Sequence, residues 1–435
     1  MKQAAVITLG CKVNAFDTAL LWEDLERRGY SVIGEVGMAD LYVINTCTVT
    51  NNAGSQSRQM VRKVKRINPA SKVIVTGCHA QVSADEVAKI EGVDYVVGNN
   101  EKGRLVEIID LEDKREVSRV VVGNIFDEKR LSQRRISRFQ RKSRAVLKVQ
   151  DGCEAFCSYC IIPYARGLSR SLPMEEVEEQ VLALAESGYS EIVLTGIHIG
   201  GYGLDLPEKR TFLDLLKRLD SLDIDMRYRI SSIEPTEIDD TMLDFLVSSK
   251  KICRHLHIPL QSGDEATLKR MERTYTPDDY LKRVQRIAER WEGVGIGIDI
   301  IAGFPGEDRK AFMNSYDLIK ASPASYLHVF PYSKRDGTPA ADMQGHVSPA
   351  EIKERCAALR ALGEEKKEAF ARNNVGKVLP SVMLEGKGDD MKSLTDNYLN
   401  VVLEKSDVKG AIKGSGIFPV NIRSYRDGRC YGSLV

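Results

Sequence analysis

Residues 148–167 read KVQDGCEAFCSYCIIPYARG and follow directly on the apolar run AVL at 145–147. A short apolar run bounded by a polar turn reads as a buried strand. Cys153, Cys157 and Cys160 therefore sit on the loop at its carboxyl end, spaced Cys-x3-Cys-x2-Cys. Three thiolates this close make a metal site one ligand short of four. A 4Fe-4S cube held by three cysteines leaves one iron open to a small molecule, whereas a structural zinc or an electron-carrying cluster takes all four ligands from protein. The competing reading is a zinc knuckle whose fourth ligand comes from a distant part of the chain.

Downstream, the runs EIVLTGIHI, MRYRISSI, HLHIPLQ, IGIDIIAG and YLHVFPYS repeat the strand pattern, separated by helical patterns such as MEEVEEQVLALAESG and TPDDYLKRVQRIAERW. Six successive β-α units suffice for a partial barrel of the (β/α) type and are too few for the closed eight-stranded form. In such barrels function sits at the carboxyl ends of the strands, which is where the Cys153 loop lies.

Upstream, Cys11 ends AAVITLGC, Cys47 ends LYVINTC and Cys78 ends KVIVTGC. Each run reads as a parallel strand followed by a turn and a helix, with two further strands near 93–99 and 119–125. This alternation predicts an α/β amino-terminal domain with a parallel sheet covered on both faces. The carboxyl ends of neighbouring strands in an open sheet face one crevice, so three strand-end thiols predict one site. Nearby helix N-termini favour the thiolate that a metal needs. Three small buried residues at strand-helix junctions remain the alternative, since free cysteine packs well. Beyond a long amphipathic helix near 348–373, the runs VLPSVMLEG, NYLNVVLEK, GIFPVNIRSY and CYGSLV predict a small antiparallel β-barrel.

The 435 residues, 43% hydrophobic and 29% charged, are those of a globular protein of several domains. There is no apolar run of about 18 residues and no charged-then-apolar leader, so neither a membrane span nor a secretory signal is expected, and the default compartment is the cytoplasm. Nine cysteines, an odd number in metal-like spacing, argue for reduced thiols rather than disulfides. A net charge of +1 excludes a globally basic nucleic-acid binder. Locally, however, Lys129 to Lys148 carries nine Lys or Arg and no acid, and RQMVRKVKR from Arg58 to Arg66 is a second basic stretch. Such runs attract polyanions or serve as solvated faces.

The cysteine loop, with Tyr159 before its last cysteine, is similar to the signature of radical S-adenosylmethionine (SAM) enzymes. More narrowly, TLGCKVN, NTCTVT, TGC and DGCEAFCSYCIIPYARG resemble the motifs of methylthiotransferases over essentially the whole chain. TLGCKVN resembles the branch acting on N6-threonylcarbamoyladenosine in tRNA more than those acting on isopentenyladenosine or a ribosomal protein. The resemblance implies an amino-terminal cluster domain at 1–126, a basic linker at 127–144, a partial (β/α)6 TIM-type radical SAM barrel with its exit helix at 145–372, and a TRAM-like β-barrel at 373–435. It also implies two 4Fe-4S clusters, one on Cys153, Cys157 and Cys160 and one on Cys11, Cys47 and Cys78, with SAM as radical source and methyl donor. Carbon 2 of adenine has neither an acidic proton nor a leaving group, so its substitution requires a radical. The implied partners are a tRNA anticodon stem-loop and an electron-donating reductase; oligomeric state stays open.

Candidate SAM contacts lie at strand ends. Thr195 and Gly196 occupy the place where the wider family recognises the methionine amino group. Ser231 and Ser232 are candidates for the ribose or carboxylate, or caps of the next helix. Gly303 and Gly306 would allow a close backbone approach to adenine, with Asp299 upstream. Gln261, Arg166 and Arg170 are further pocket candidates. His255 and His257 share one strand face, as barrel-mouth or core residues. Cys253, Cys356 and Cys430 read as structural.

Overall fold

In a computed structural model, which describes residues 2–48, 52–110, 119–131, 135–136, 139, 143–384, 391–403 and 416–435, the first strands form a parallel sheet ordered β2-β1-β3-β4-β5-β6. They are β1 (Gln3–Thr8), β2 (Ser31–Ile33), β3 (Leu41–Thr46), β4 (Lys72–Gly77), β5 (Tyr95–Val97) and β6 (Arg119–Val121). Alternate side chains feed two separate cores: Ala4, Val6, Val43 and Ile74 pack on one face, Ala5, Ile7, Ile44 and Val75 on the other. Both faces need cover, and helices supply it. Helix α1 (Lys12–Arg27) follows β1, α2 (Asn52–Ile67) follows β3 and α3 (Cys78–Val82) follows β4. The register Thr8↔Asn45 and Thr46↔Gly77 brings the carboxyl ends of β1, β3 and β4 level.

The second unit begins with β7 (Ala145–Lys148). It continues through β10 (Glu191–Thr195), β11 (Arg227–Ile230), β12 (His255–His257), β13 (Gly295–Ala302) and β14 (Tyr326–Pro331). They form parallel sheets β11-β10-β7 and β12-β13-β14, joined by the bridges Tyr228↔Ile252 and Ser232↔His257. The result is an open six-stranded partial barrel. A short antiparallel pair, β8 (Gln150–Asp151) with β9 (Arg170–Ser171), pinches the base of the cysteine loop. Ser348 caps the helix Pro349–Arg372 by accepting from Glu351 N, and this helix buries Cys356, Leu359 and Leu362 against the barrel core.

Strands β15 (Val378–Leu384), β16 (Met391–Thr395), β17 (Asn400–Leu403), β18 (Ile417–Arg426) and β19 (Arg429–Leu434) close the last barrel. Its pairings are antiparallel except β17 with β19, which run parallel. This barrel plugs the amino-terminal ends of the large barrel's strands. Arg227 donates to the carbonyls of Pro380 and Leu394 (2.8 and 2.9 Å), and Arg229 to those of Asp396 and Thr395 (both 2.9 Å). The fully buried Glu191 pairs with both arginines. Tyr398 stacks on His255 with centroids 4.2 Å apart. No helix among the described residues is long and apolar enough to cross a membrane.

Candidate functional site

The three amino-terminal cysteines gather where the sheet register predicts. Cys11 precedes α1, Cys47 follows β3 and Cys78 opens α3. Glycines let the strand ends close together: Gly10 has φ +108°, and a Cβ there would lie 2.5 Å from Cys47 Cβ and 2.8 Å from its Sγ. A Cβ on Gly77 (φ +98°) would lie 2.3 Å from the Thr46 carbonyl. Asn14, one turn into α1, laces the ends by donating to the carbonyls of Leu9 and Thr46 (2.8 and 2.9 Å). Val49 and Thr50 of NTCTVT lie outside the described residues.

Arg166 joins this corner to the other triad. It is 2% exposed. Its Nε donates to Cys78 Sγ at 3.3 Å, Nη1 to both oxygens of Asp151 at 3.1 and 3.0 Å, and Nη2 to Asn14 Oδ1 at 2.6 Å and Asp17 at 3.1 Å. Lys148 bridges the same carboxylates, 2.8 Å from Asp17 and 2.9 Å from Asp151, and Lys102 reaches Asp17 at 2.9 Å. Burial pushes both carboxyls up. Lys102, Lys148 and Arg166 override it at Asp17, and Arg166, Lys148 and Arg170 at Asp151, holding both below the usual carboxylate range.

On the loop, Gly152 (φ +79°) is required because a Cβ would lie 1.9 Å from the Leu168 carbonyl. Ala155 N donates to Cys153 Sγ (3.4 Å), and Arg273 Nη1 donates to Cys157 Sγ (3.3 Å) while pairing with Glu234. His198 places Nδ1 3.8 Å from Cys153 Sγ and Nε2 2.6 Å from Glu237, contacts that push it up to about 10. Burial first, and the neighbouring Cys157 and Cys153 with it, push the Cys160 thiol up to about 12, against the opposing Ile162 N–H and Arg273. Hydrogen-bond donors are aimed at Cys153, Cys157 and Cys78, as they are at sulfur ligands of a metal site. Both triads therefore fit an iron-sulfur group bound through sulfur.

Beside the loop, a cavity of about 200 Å³ is lined by Tyr159, Cys160, Gln261, Asp299, Tyr332 and Arg335, among others. Asp299 is held by His257 Nε2 (2.8 Å) and His328 Nδ1 (3.2 Å). His255 and His257 share the Tyr326 hydroxyl, at 2.8 and 3.2 Å. Gln261 takes φ +65° and bridges Ile300. Thr195 is buried at the end of β10, its carbonyl accepting from Val149 N (2.9 Å), and a Cβ on Gly196 would lie 2.8 Å from Gln150 Oε1. Ser231 has a buried, unpartnered Oγ; Ser232 pairs with His257. Gly303 and Gly306 adopt φ +82° and +78°, and Cβ atoms there would point at Ile352 and Arg270. Arg170 is buried and donates to the Arg166 carbonyl (2.5 Å). Cys253, Cys356 and Cys430 are buried away from both triads.

The basic stretch 129–148 departs from a phosphate-binding strip at two places. Arg144 pairs with buried Glu191 at 3.1 Å, and Lys148 belongs to the Asp17 network, so both charges are spent inside the protein. Residues 132–134, 137, 138 and 140–142 lie outside the described residues. Sequence reading missed Arg273, His198 and Arg335, which come from separate loops with no motif spacing. Lys148, a lysine inside an apolar strand run, was a legible sign of a buried partner.

Comparison with known proteins gives the family. Residues 3–98 match the family model described as "Uncharacterized protein family UPF0004", and 147–319 match the radical SAM superfamily. A threonylcarbamoyladenosine tRNA methylthiotransferase (MtaB) of Bacillus subtilis is 42% identical over 94% of this chain and 91% of its own length. The MtaB of Aquifex aeolicus is 40% identical over 92% and 97%. A tRNA-2-methylthio-N(6)-dimethylallyladenosine synthase of Fusobacterium nucleatum is 32% identical over 100% of both. The chain belongs to the methylthiotransferase family. The radical SAM methyltransferase TsrM of Kitasatospora setae shares the fold, with a TM-score of 0.57 at 17% identity over 78% of this chain and 77% of that one. As a methylthiotransferase, the chain is a radical SAM enzyme whose cofactors are two 4Fe-4S clusters and SAM.

Proposed function

We propose that this methylthiotransferase converts N6-threonylcarbamoyladenosine, next to the anticodon of tRNA, to its 2-methylthio derivative. The MtaB relatives support the substrate, being 35 to 42% identical against 32% for the Fusobacterium nucleatum dimethylallyladenosine enzyme. The observation that carries the reading is Arg166, which reaches from the cysteine loop's own Asp151 to Cys78 of the other triad. This link between one amino-terminal cysteine and the base of the cysteine loop supports a reaction that uses both sites.

On this reading Cys153, Cys157 and Cys160 hold the cluster that meets SAM, and Cys11, Cys47 and Cys78 hold the sulfur-donating one. When bound, these groups supply the electron, the hydrogen-abstracting radical and the methylated sulfur that turn the C2-H bond into C2-SCH3. The protein orients and excludes water. Arg273 and Arg166 hold sulfur ligands through charged hydrogen bonds, and His198 holds Cys153 against Glu237. Tyr159, Gln261 and Asp299 line the chamber. Thr195 and Gly196 take the methionine end of SAM, Ser231 and Ser232 its ribose or carboxylate, and Gly303 and Gly306 its adenine; the unpartnered Ser231 Oγ supports a polar ligand there.

The same reading divides the chain at 1–126, 127–144, 145–372 and 373–435, and places the enzyme in the cytoplasm with an anticodon stem-loop and a reductase as partners. A base beside the anticodon can splay from its loop into a pocket, the usual mode of RNA recognition. Mass spectrometry of tRNA nucleosides from a deletion strain tests it. The 2-methylthio form of threonylcarbamoyladenosine should vanish while its unthiolated parent accumulates. Loss of 2-methylthio-isopentenyladenosine instead would overturn the substrate.

A further inference from the structure

Arg335 stands out from the charged groups around the chamber because one edge of its guanidinium has lost water without gaining a partner. Its Nε and Nη2 are buried and donate to no acceptor among the described residues. These two nitrogens form one edge of the guanidinium, the edge that grips a two-oxygen anion side-on. Leaving such donors buried and empty is costly, so an unfilled edge points to a ligand. The neighbouring carboxylates do not fill it. Asp299, the carboxylate lining the inner cavity, is held by His257 and His328, and Glu86 in the outer one is paired with Arg58 at 3.1 Å.

The position is also specific. Arg335 lines both the inner cavity beside Cys160 and an outer cavity of about 850 Å³ bordered by Arg58, His79, Tyr164 and Lys334. It lies within electrostatic reach of Cys47 and His79 of the amino-terminal domain while lining the cavity beside Cys160. His79, 6% exposed, brings a second unpartnered atom, Nδ1, to the outer cavity from the other domain. The loop that carries Arg335 is braced independently of its side chain. Thr338 donates to the Arg335 carbonyl through N (3.1 Å) and Oγ1 (2.7 Å), and Ala340 N donates to the Ser158 carbonyl on the cysteine loop (2.8 Å). A guanidinium edge without an acceptor, on a loop braced by these bonds and bordering two cavities, is a candidate anion site.

We infer that Arg335 is the anion anchor of the reaction chamber, gripping an oxyanion of the substrate nucleotide as the base enters between the two triads. The inference rests on the tRNA reading. Two parts of that nucleotide carry the required chemistry: the carboxylate of the threonyl group and the backbone phosphate.

Direct binding separates them. The probes are a fluorescein-labelled anticodon stem-loop bearing threonylcarbamoyladenosine and the same RNA with the threonyl carboxylate methyl-esterified, titrated with cluster-loaded wild type, Arg335→Gln and Arg335→Lys at several salt concentrations. Arg335→Gln is expected to weaken the acid RNA about 10- to 100-fold, with Arg335→Lys recovering part of the loss. If the carboxylate is the ligand, wild type binds the ester as weakly as Arg335→Gln binds the acid, and the variant loses nothing more on the ester. If a phosphate is the ligand, the variant loses the same factor on both RNAs and its salt slope falls by about one. Equal affinity of wild type and Arg335→Gln for both RNAs overturns the inference. So does a loss confined to SAM affinity measured without RNA, which would assign Arg335 to the cofactor. Removing two buried, unpaired donors should keep or raise Tm; a lower Tm repaired by Arg335→Lys without recovered affinity would make the residue structural and also overturn the inference. Methylthiolation of the acid RNA by wild type, scored separately, judges the substrate reading, so either idea can fail alone.

Discussion

Cys153, Cys157 and Cys160 come from one loop, whereas Cys11, Cys47 and Cys78 come from the ends of three strands. One cysteine of each triad nevertheless accepts from an arginine at the same distance: Cys157 from Arg273 and Cys78 from Arg166, both at 3.3 Å. The two arginines are anchored differently. Arg273 leans on the part-exposed Glu234, while Arg166 closes a network of Asp17, Asp151, Lys148 and Lys102 in which every side chain is at least nine-tenths buried. A loop can shape its own metal site. A site assembled from three strands and shared with a second domain depends on the domain contact, and the buried charges concentrate there.

Removing ligands breaks the comparison most sharply. Cys157→Ala should abolish 5′-deoxyadenosine formation, to below about 1% of wild type, together with methylthiolation, because the open iron that meets SAM is lost. Cys78→Ala should stop methylthiolation and retain a measurable share of deoxyadenosine formation. Each variant should lose about half of the iron, from about eight to about four atoms per chain. Chromatography of the nucleoside products and an iron assay check this. Methylthiolation surviving in Cys78→Ala would end the two-cluster reading.

The arginines come next. Arg166→Met leaves Asp17 and Asp151 buried with a cation missing, a change of about 3–5 kcal/mol for a broken buried pair. Arg273→Met leaves the part-exposed Glu234, which can rehydrate, so its cost should be smaller, about 1–3 kcal/mol. Urea unfolding followed by a probe in the amino-terminal sheet reads the difference. Equal midpoints would mean that the Arg166 network does not hold the two domains together.

Acid tests the same network more gently. Asp17 and Asp151 are held below their unfolded values, so the stability they carry is fully present above about pH 3.9 and is lost as pH falls through the folded values. Hydrogen exchange in α1 and α3 should therefore accelerate below about pH 4, and Asp151→Asn should flatten that limb. An unchanged acid profile in the variant would remove Asp151 from the contact.

Much of this was legible because local chemistry dictated it. The run before Cys153, the strand ends at Cys11, Cys47 and Cys78, and the turns between the last strands each sit in a short pattern whose period or spacing names the element. Arg273, His198 and Arg335 were not legible, since each reaches the triads from a loop whose position only the barrel closure sets. The basic stretch misled at Arg144 and Lys148 because counting charges does not show which carboxylates lie opposite. The parallel pairing of β17 with β19 was hidden for a similar reason, as strand runs carry no record of which neighbour closes a barrel.

The remaining cysteines give the smallest effect and the cleanest control on the comparison. Cys356 is 2% exposed on the inner face of the helix Pro349–Arg372 and packs in the barrel core. Burial chiefly raises its thiol, with Arg360 opposing and Glu307 adding to it, which keeps it an uncharged packing atom rather than a ligand. Cys356→Ala removes one buried heavy atom, so it should cost about 1 kcal/mol. Iron content and both product yields should match wild type, because neither triad touches that helix face. If Cys356→Ala instead lost iron in proportion to Cys78→Ala, the amino-terminal triad would have a fourth dependant, and the contrast between a self-contained loop and a strand-built site would need a different partner set.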